Sequence, residues 1–544
     1  MSFTLGGELV ARALKSQGVD ALYTLCGGHI LPIYEGCINN DIDVIDFRHE
    51  QAAAHAADAH ARLTRNIGVA AVTAGPGVTD AVTGVANAYQ ARSPMILLGG
   101  AAPLSTKGMG ALQEMPQTDM FKTFTKASFT VEDTEAIPDL MREAFMTALS
   151  GRPGPVFIEL PFDILFQATD PMDAHPKVEI APVEPEVGTM TRIFEMLRSA
   201  EKPVIIAGTQ VYWDEGHDAL RELTEQTGIP VFTNGAGRGT LPMNHPNCFK
   251  AGRGKALKSA DVVMLIGTPL DFRLKYGREG WNDGAKLIQI ENDVDELNHN
   301  READVAMVAN ARLVLEAMAE GLQGMNYGTW LAEVRANEDG RKSQLDEWKQ
   351  LDDAPLNHFR MGAALDDFID EETIVIGDGG DIVSACAKVI NITKPGQWLD
   401  PGPLGCLGVG APFAVAAKYL YPEKKVLIIN GDGSFGLNGF EFDTALRFGL
   451  QIVSVVGNDA GWGQIRTPQL GMVAEERAIA TRLAPTRYDK IVEAMGGHGE
   501  HVEHPDDLPA AIERAFASGK PACVDVALDP RGMSKTGAST PYIV

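Results

Sequence analysis

Cysteine is scarce: the 544 residues hold six, Cys26, Cys37, Cys248, Cys386, Cys406 and Cys523, with no CxxC pair among them. That scatter argues against a disulfide framework and against a zinc site, and it fits a reducing, cytoplasmic setting. Cations are also short. Lys and Arg number 47 against 73 Asp and Glu, a net charge of −26, which argues against a broad nucleic-acid or anionic-membrane surface because both need clustered positive charge. Any anionic ligand must therefore meet a local basic patch. A long apolar run is missing too: the longest nearly uncharged stretch, 67–89, carries Asp80 and breaks at Gly75-Pro76-Gly77, which suits strand, loop and helix better than a membrane span. The first twenty residues carry Glu8 early and lack a basic stretch followed by an apolar one, so they read as an amphipathic helix rather than a secretory leader.

What is present is the mixture of a globular protein, 45% hydrophobic and 22% charged, with a mean hydropathy of −0.07. At roughly 100–200 residues per domain the length points to about three domains. Short β-branched runs alternate with helical patterns at 68–73, 95–99, 156–159, 203–207, 262–266, 286–290, 373–376, 425–430, 451–456 and 522–526, the pattern of parallel α/β sheets. Two stretches interrupt it, the Pro-rich acidic 167–188 and the strongly charged, partly helical 324–358, and both read as linkers. The expectation is three doubly wound α/β domains, about 1–165, 189–323 and 359–544.

The chemistry is densest in 425–466, KVLIINGDGSFGLNGFEFDTALRFGLQIVSVVGNDAGWGQIR. An apolar strand runs straight into Gly431-Asp432-Gly433-Ser434, a helix follows, and a second strand leads to Asn458-Asp459. Asp432 and Asp459 thus fall at the carboxyl ends of two strands, where open α/β sheets bind ligands. Two hard oxygen donors beside glycines that bare the backbone can hold Mg²⁺ against a diphosphate. An isolated Gly-Asp-Gly is more often only an acidic turn; the pairing is what carries the reading.

This segment resembles the thiamin diphosphate motif, a Gly-Asp-Gly followed some two dozen residues later by two asparagines; here 24 residues, 434–457, intervene, and Asp459 stands where the second asparagine is expected. The resemblance implies Mg²⁺ on Asp432, Asp459 and the carbonyl of Gly461, with Gly433, Ser434 and Trp462 beside the cofactor and Ser434 facing its diphosphate. Upstream, 402–414, GPLGCLGVGAPFA, is similar to the loop and helix that grip the aminopyrimidine ring in acetolactate synthase-like enzymes: Gly405 would offer a carbonyl to the 4′-amino group and Leu407 an apolar wedge under the bent cofactor. Gly379 and Gly380, after the strand at 373–376, either turn backbone amides to the diphosphate or form only a plain turn.

In the N-terminal third, Phe47-Arg48-His49-Glu50-Gln51-Ala52-Ala53 resembles the catalytic-glutamate helix of the same superfamily, which implies that Glu50 hydrogen-bonds N1′ of the pyrimidine. By itself an acid there reads as helix-dipole compensation. Pro76 and Asn87 fall where this family keeps cofactor contacts, and 25–32 resembles its first active-site loop. His29 in that loop is either a substrate contact or a helix cap; His49, His55 and His60 lack the spacing of a helical metal pair and are left structural. Gln113, in the Gln-Glu-x-Pro-Gln stretch 113–117, looks closer to 2-hydroxyacyl-CoA lyases than to acetolactate synthases and is a candidate for holding the substrate's oxygen, unless it and Glu114 only brace a dimer.

Lys250, Arg253, Lys255 and Lys258 put four cations into nine residues of an acidic chain, either a phosphate-binding patch or a solvated face. Arg253 and Lys255 lie in a segment similar to the nucleotide-binding one of oxalyl-CoA decarboxylase relatives, with Asp271 and Arg273 after the next strand. Asp293 either takes ribose hydroxyls or caps a helix. The nucleotide is ADP, the ADP portion of CoA, or FAD. The resemblance further implies that 529–544 is an active-site lid, the alternative being a frayed end. It implies a homodimer as the smallest active unit, a homotetramer as the assembly, and an acyl-CoA as substrate. The expected reaction is cleavage of a 2-hydroxyacyl-CoA to an aldehyde and formyl-CoA. The alternatives are acetolactate synthase, oxalyl-CoA decarboxylase, and a non-catalytic nucleotide-binding protein should Glu50 and the aspartates not converge.

Overall fold

Runs such as Val-Val-Met-Leu-Ile at 262–266 are apolar at every position, and all five side chains are buried, as strands covered on both faces require. A computed structural model describes residues 3–536, and every such run in it becomes a strand of a six-stranded sheet. The chain falls into two compact units. One gathers the residues up to Ala181 with Asp400–Glu423 and Gly436–Ile452; the other holds Pro182–Leu399, Lys424–Phe435 and the chain from Val453 onward. Three six-stranded, wholly parallel sheets flanked by helices make the architecture α/β, as expected from the alternation.

The first sheet, in the first unit, runs Asp43–Asp46, Ala21–Leu25, Gly68–Val72, Met95–Ala101, Pro155–Pro161, Ala127–Thr130 across its width. The third, in the second unit, runs Trp398–Leu399, Thr373–Asp378, Lys425–Gly431, Val453–Asn458, Ala522–Ala527, His498–Val502. Numbered along the chain, both have the order 2-1-3-4-6-5, a common topology that no sequence repeat announces. The middle sheet has the order 3-2-1-4-5-6, starting from the edge strand Cys248–Phe249, with its first and fourth strands, Pro203–Ala207 and Val262–Ile266, side by side. In each sheet the order reverses between two neighbouring strands, and the carboxyl ends flanking that reversal form a crevice.

The helix Glu50–Thr64 is buried around most of its circumference, with Val82–Ala91 and Gly410–Leu420 packed against it in the same unit. Its alanines permit that approach, since larger side chains would hold the neighbours off. A stretch read as a linker, 324–358, holds the 22-residue helix Gly328–Lys349. Among the described residues no helix is long and apolar enough to cross a membrane.

Three histidines are buried in a neutral state. Burial pushes His55, His60 and His358 down to about 4 from 6.5. Because the unfolded chain binds these protons first, the stability they contribute is present above pH 6.5 and is lost as the pH falls towards 4, by up to about 3 kcal/mol each. Thermal midpoints measured across pH 7 to 4 should fall steeply in that window, and a His60→Gln variant should fall less. Parallel curves for the two proteins would refute this.

Candidate active site

Asp432 follows directly on the strand Lys425–Gly431, at the reversal point of the third sheet, and opens the helix Asp432–Asn438. It is 2% exposed, and both its oxygens are held by backbone: Oδ1 accepts the Gly433 N–H at 2.8 Å and Oδ2 the Gly461 N–H at 3.0 Å. Asp459, after the neighbouring strand Val453–Asn458, lies close enough to Asp381 that a Cβ on Gly463 would sit 2.8 Å from Asp459 Oδ2 and 3.2 Å from Asp381 Oδ2. Only glycine fits there. Burial pushes Asp432 up to about 6; burial, then the charges of Asp432 and Asp381, pushes Asp459 up to about 7. Crowded carboxylates with raised pKa values are the donor set of a hard divalent cation, whose charge would offset the repulsion.

The turn that carries Asp459 is tightly braced. Ala460 adopts φ +53°, and its N–H donates to Asn458 Oδ1 at 3.2 Å; the Asn458 amide donates to the Thr486 carbonyl at 2.8 Å and to Asp525 Oδ1 at 2.9 Å. Gly433 faces the ring of Trp462, and Gly380 faces Gln464, each without room for a side chain. Ser434 is buried beside the strand end, where its hydroxyl lies 2.6 Å from the Asp378 carbonyl and 3.0 Å from the Gly431 carbonyl and accepts the Gly431 N–H at 3.1 Å.

In the first unit the corresponding crevice lies beside the carboxyl ends of Ala21–Leu25 and Gly68–Val72. Glu50 opens its helix there, 8% exposed; burial raises its pKa, with Asp80 adding to the effect. A Cβ on Gly77 would lie 3.2 Å from Glu50 Oε1, so the Gly75-Pro76-Gly77 turn is what leaves the carboxyl its space. His29 Nδ1 lies 3.2 Å from Thr73 Oγ1, and burial lowers its pKa. Gln113 adopts φ +62° and packs on Gly75, whose N–H donates to Gln117 Oε1 at 2.7 Å. The structure thus gathers Glu50, His29, Pro76 and Gln113 around one crevice.

Other members of the Gln-Glu-x-Pro-Gln stretch serve the loop itself: Glu114 accepts the amides of Gly108, Gly110 and Ala111, and Gln117 donates to the Gly100 carbonyl and to Glu159. Asn87 is fully buried and donates to Asp58 Oδ2 at 3.0 Å, beside the Asp58–Arg62 ion pair, while its Oδ1 has no partner among the described residues. Gly405 adopts φ +66°, which turns the exposed loop before the helix Gly410–Leu420, and Leu407 follows half-buried.

Three family models cover these regions: the N-terminal thiamine pyrophosphate (TPP) binding domain of the thiamine pyrophosphate enzymes matches residues 4–120, their central domain 190–318 and their C-terminal TPP binding domain 378–526. The chain belongs to the thiamine pyrophosphate enzymes. It is similar to a "Probable acetolactate synthase" of Mycobacterium bovis, 38% identical over 528 residues that cover 96% of each chain. It is similar as well to "2-hydroxyacyl-CoA lyase 2" of Caenorhabditis elegans, 37% identical over 94% of this chain and 87% of that one, and of Homo sapiens, 36% identical over 91% and 84%. A thiamine pyrophosphate-dependent carbon–carbon lyase or transferase is the activity these relatives share.

In the middle domain of this thiamine pyrophosphate enzyme the four-cation run does not form one open patch. Lys250 turns inward to the carbonyls of Val389 and Ile390 and to Asn391 Oδ1, at 3.2–3.4 Å, and burial pushes it down to about 8. Lys255 bonds to Asn337. The reason is Glu338 on the helix Gly328–Lys349, whose carboxylate accepts the amides of Lys250, Ala251 and Gly252 and draws the loop towards that helix. Arg253 instead joins Arg273, donating to its carbonyl at 3.2 Å, and Arg273 pairs with Asp271 at 2.7 Å. Arg238, which sequence reasoning passed over, adds its charge to the pair and stacks 4.5 Å from the Trp398 ring. Asp293 accepts the Asp295 amide as the cap of a short turn.

Proposed function

We propose that the chain is a Mg²⁺- and thiamin diphosphate-dependent 2-hydroxyacyl-CoA lyase that releases an aldehyde and formyl-CoA and can run the addition in reverse. Its domains are 1–165, 189–323 and 359–544, which bind the pyrimidine, a nucleotide and the diphosphate respectively. It works in the cytoplasm as a homodimer at least, most simply as a homotetramer. When bound, the cofactor supplies a carbon nucleophile and an electron sink for the carbanion left by C–C cleavage. Glu50 holds a proton at N1′, an exchange that its raised pKa suits. The Gly405 carbonyl takes the 4′-amino group, and Leu407 supports the ring from below. Asp432, Asp459 and the Gly461 carbonyl would hold Mg²⁺, amides at Gly379 and Gly380 would meet the diphosphate, and Gly433 and Ser434 would lie beside it. His29 and Gln113 orient the substrate.

The observation that carries the acyl-CoA reading is Arg253: its guanidinium hydrogen-bonds the Arg273 carbonyl, and the charge of Asp271 is shared among Arg253, the Arg273 paired with it, and Arg238. Cations left in excess within a chain of −26 suit the phosphates of CoA, of ADP or, less well, of FAD. Replacing Arg253 by Ala should raise the KM for a CoA thioester about 10- to 100-fold, the worth of one charge-assisted phosphate contact, with kcat little changed. The Mycobacterium bovis relative supports the competing reading, condensation of two pyruvates to acetolactate and CO₂. Assaying formyl-CoA release and acetolactate formation side by side decides between them. Efficient acetolactate synthesis with no turnover of any acyl-CoA, indifferent to Arg253→Ala, would transfer the assignment. Half of the lid expected of 529–544, residues 537–544, lies outside the described residues.

A further inference from the structure

The short edge strand Asp43–Asp46 and the three residues after it lead directly into Glu50. Within the first unit this lead-in is gripped along its length by Tyr419 and by residues 441–447. Tyr419 Oη donates to Asp43 Oδ2 at 2.6 Å, Arg447 donates to the Asp46 carboxylate and to its carbonyl, both at 2.7 Å, and Arg48 Nη1 reaches Asp443 Oδ2 at 3.2 Å. Those contacts are on the exposed side. The fourth is buried: Glu441, 1% exposed, accepts the Arg48 backbone N–H on both oxygens, at 3.1 and 3.2 Å, and its Oε2 also accepts the Thr444 hydroxyl at 2.6 Å.

A carboxylate taken out of water to receive one backbone amide is a costly device, and its cost is visible, since burial pushes Glu441 up to about 7. The amide it receives belongs to the residue just before the helix cap, His49, whose ring in turn accepts the Gln51 amide at 3.1 Å. Two peptide units separate that amide from Glu50. Only the φ and ψ angles of Arg48 and His49 lie between them, and the His49 cap bond braces the second pair, so fixing the Arg48 amide narrows where the first helical residue starts and hence where its carboxyl can reach. Neither motif matching nor helix periodicity points to Glu441.

We propose that Glu441 is a positioning residue for Glu50: through the Arg48 amide it sets the entry of the helix Glu50–Thr64 and so the place of the carboxyl that serves the cofactor's N1′. This rests on the reading of Glu50 given above. The test is the rate of C2 H/D exchange in bound thiamin diphosphate, measured on the holoenzyme by quenched-flow NMR with cofactor content checked by mass. Glu441→Ala should slow exchange ~10- to 100-fold, the size of a small misplacement of a catalytic group, at unchanged cofactor content. Glu441→Gln should restore most of the rate, because the amide oxygen still accepts the Arg48 N–H. Asp443→Ala, which loosens the exposed side of the same grip, should leave the rate near wild type.

The proposal is overturned if Glu441→Ala exchanges at the wild-type rate, if Gln rescues no better than Ala, or if Asp443→Ala slows exchange as much as Glu441→Ala. Should Glu441→Ala not fold, Glu441→Asp, which shortens the reach to the Arg48 N–H by one methylene, decides instead: slowed exchange supports the role, and a wild-type rate ends it. Glu50→Gln run in parallel separates the two ideas, since an unchanged rate there would dismiss Glu50 itself rather than its support.

Discussion

With Gln in place of Glu50, proton exchange at C2 of the bound cofactor should fall by about 10²- to 10⁴-fold while cofactor binding stays largely intact, because an amide is the right shape but cannot hold or release the proton. Glu50 is suited to that exchange by position. It is the first residue of its helix, buried beside Gly77, and burial raises its pKa. Helix-dipole compensation, the ordinary use of an acid in a first turn, would leave it in water. H/D exchange on the holoenzyme reads the effect directly, and an unchanged rate would exclude the role.

Replacing Asp432 by Ala should abolish retention of both Mg²⁺ and thiamin diphosphate, weakening binding by at least ~100-fold. The side chain does two jobs. Its oxygens fix the amides of Gly433 and Gly461, so the loop that would present the Gly461 carbonyl is tied to it, and its charge is one of three crowded at the site. Asp432→Asn keeps one acceptor and loses the charge, so it should fold with the loop in place yet still bind Mg²⁺ poorly. Native mass spectrometry of the purified variants measures both. Holo-level cofactor in the Ala variant would show the metal assignment to be wrong.

The strands that were legible in the sequence are those buried on both faces: Pro203–Ala207 and Val262–Ile266 begin and end where their apolar runs do. The six edge strands of the three large sheets went unread, among them Asp43–Asp46 and His498–Val502, whose sequences DVID and HGEHV carry charge because one side meets solvent. Two inner strands, Ala21–Leu25 and Val231–Thr233, were missed as well, being short and set among mixed residues. Among the candidate site residues, Asp432, Asp459 and Glu50 were visible because they stand in motifs of fixed spacing. Asp381, Arg238 and Glu441 were invisible because nothing in their local sequence differs from an ordinary helix start or loop.

By itself the sequence determined the chemistry and the class of fold: a Gly-Asp-Gly after an apolar strand, an acidic residue 27 positions on, a glutamate opening an Ala-rich helix, and β and α patterns alternating for most of 544 residues. These are local features, carried by periodicity and spacing. Tertiary structure alone decided that the first and third sheets share one strand order, which sets their crevices at equivalent strand ends. It also decided that the Ser434 hydroxyl serves the backbone, that Lys250 leaves its patch for a helix end, and that Arg253 joins Arg273. The physical reason is the same in each case: a polar group's use depends on which partner satisfies it when water is removed, and those partners lie tens to hundreds of residues away along the chain.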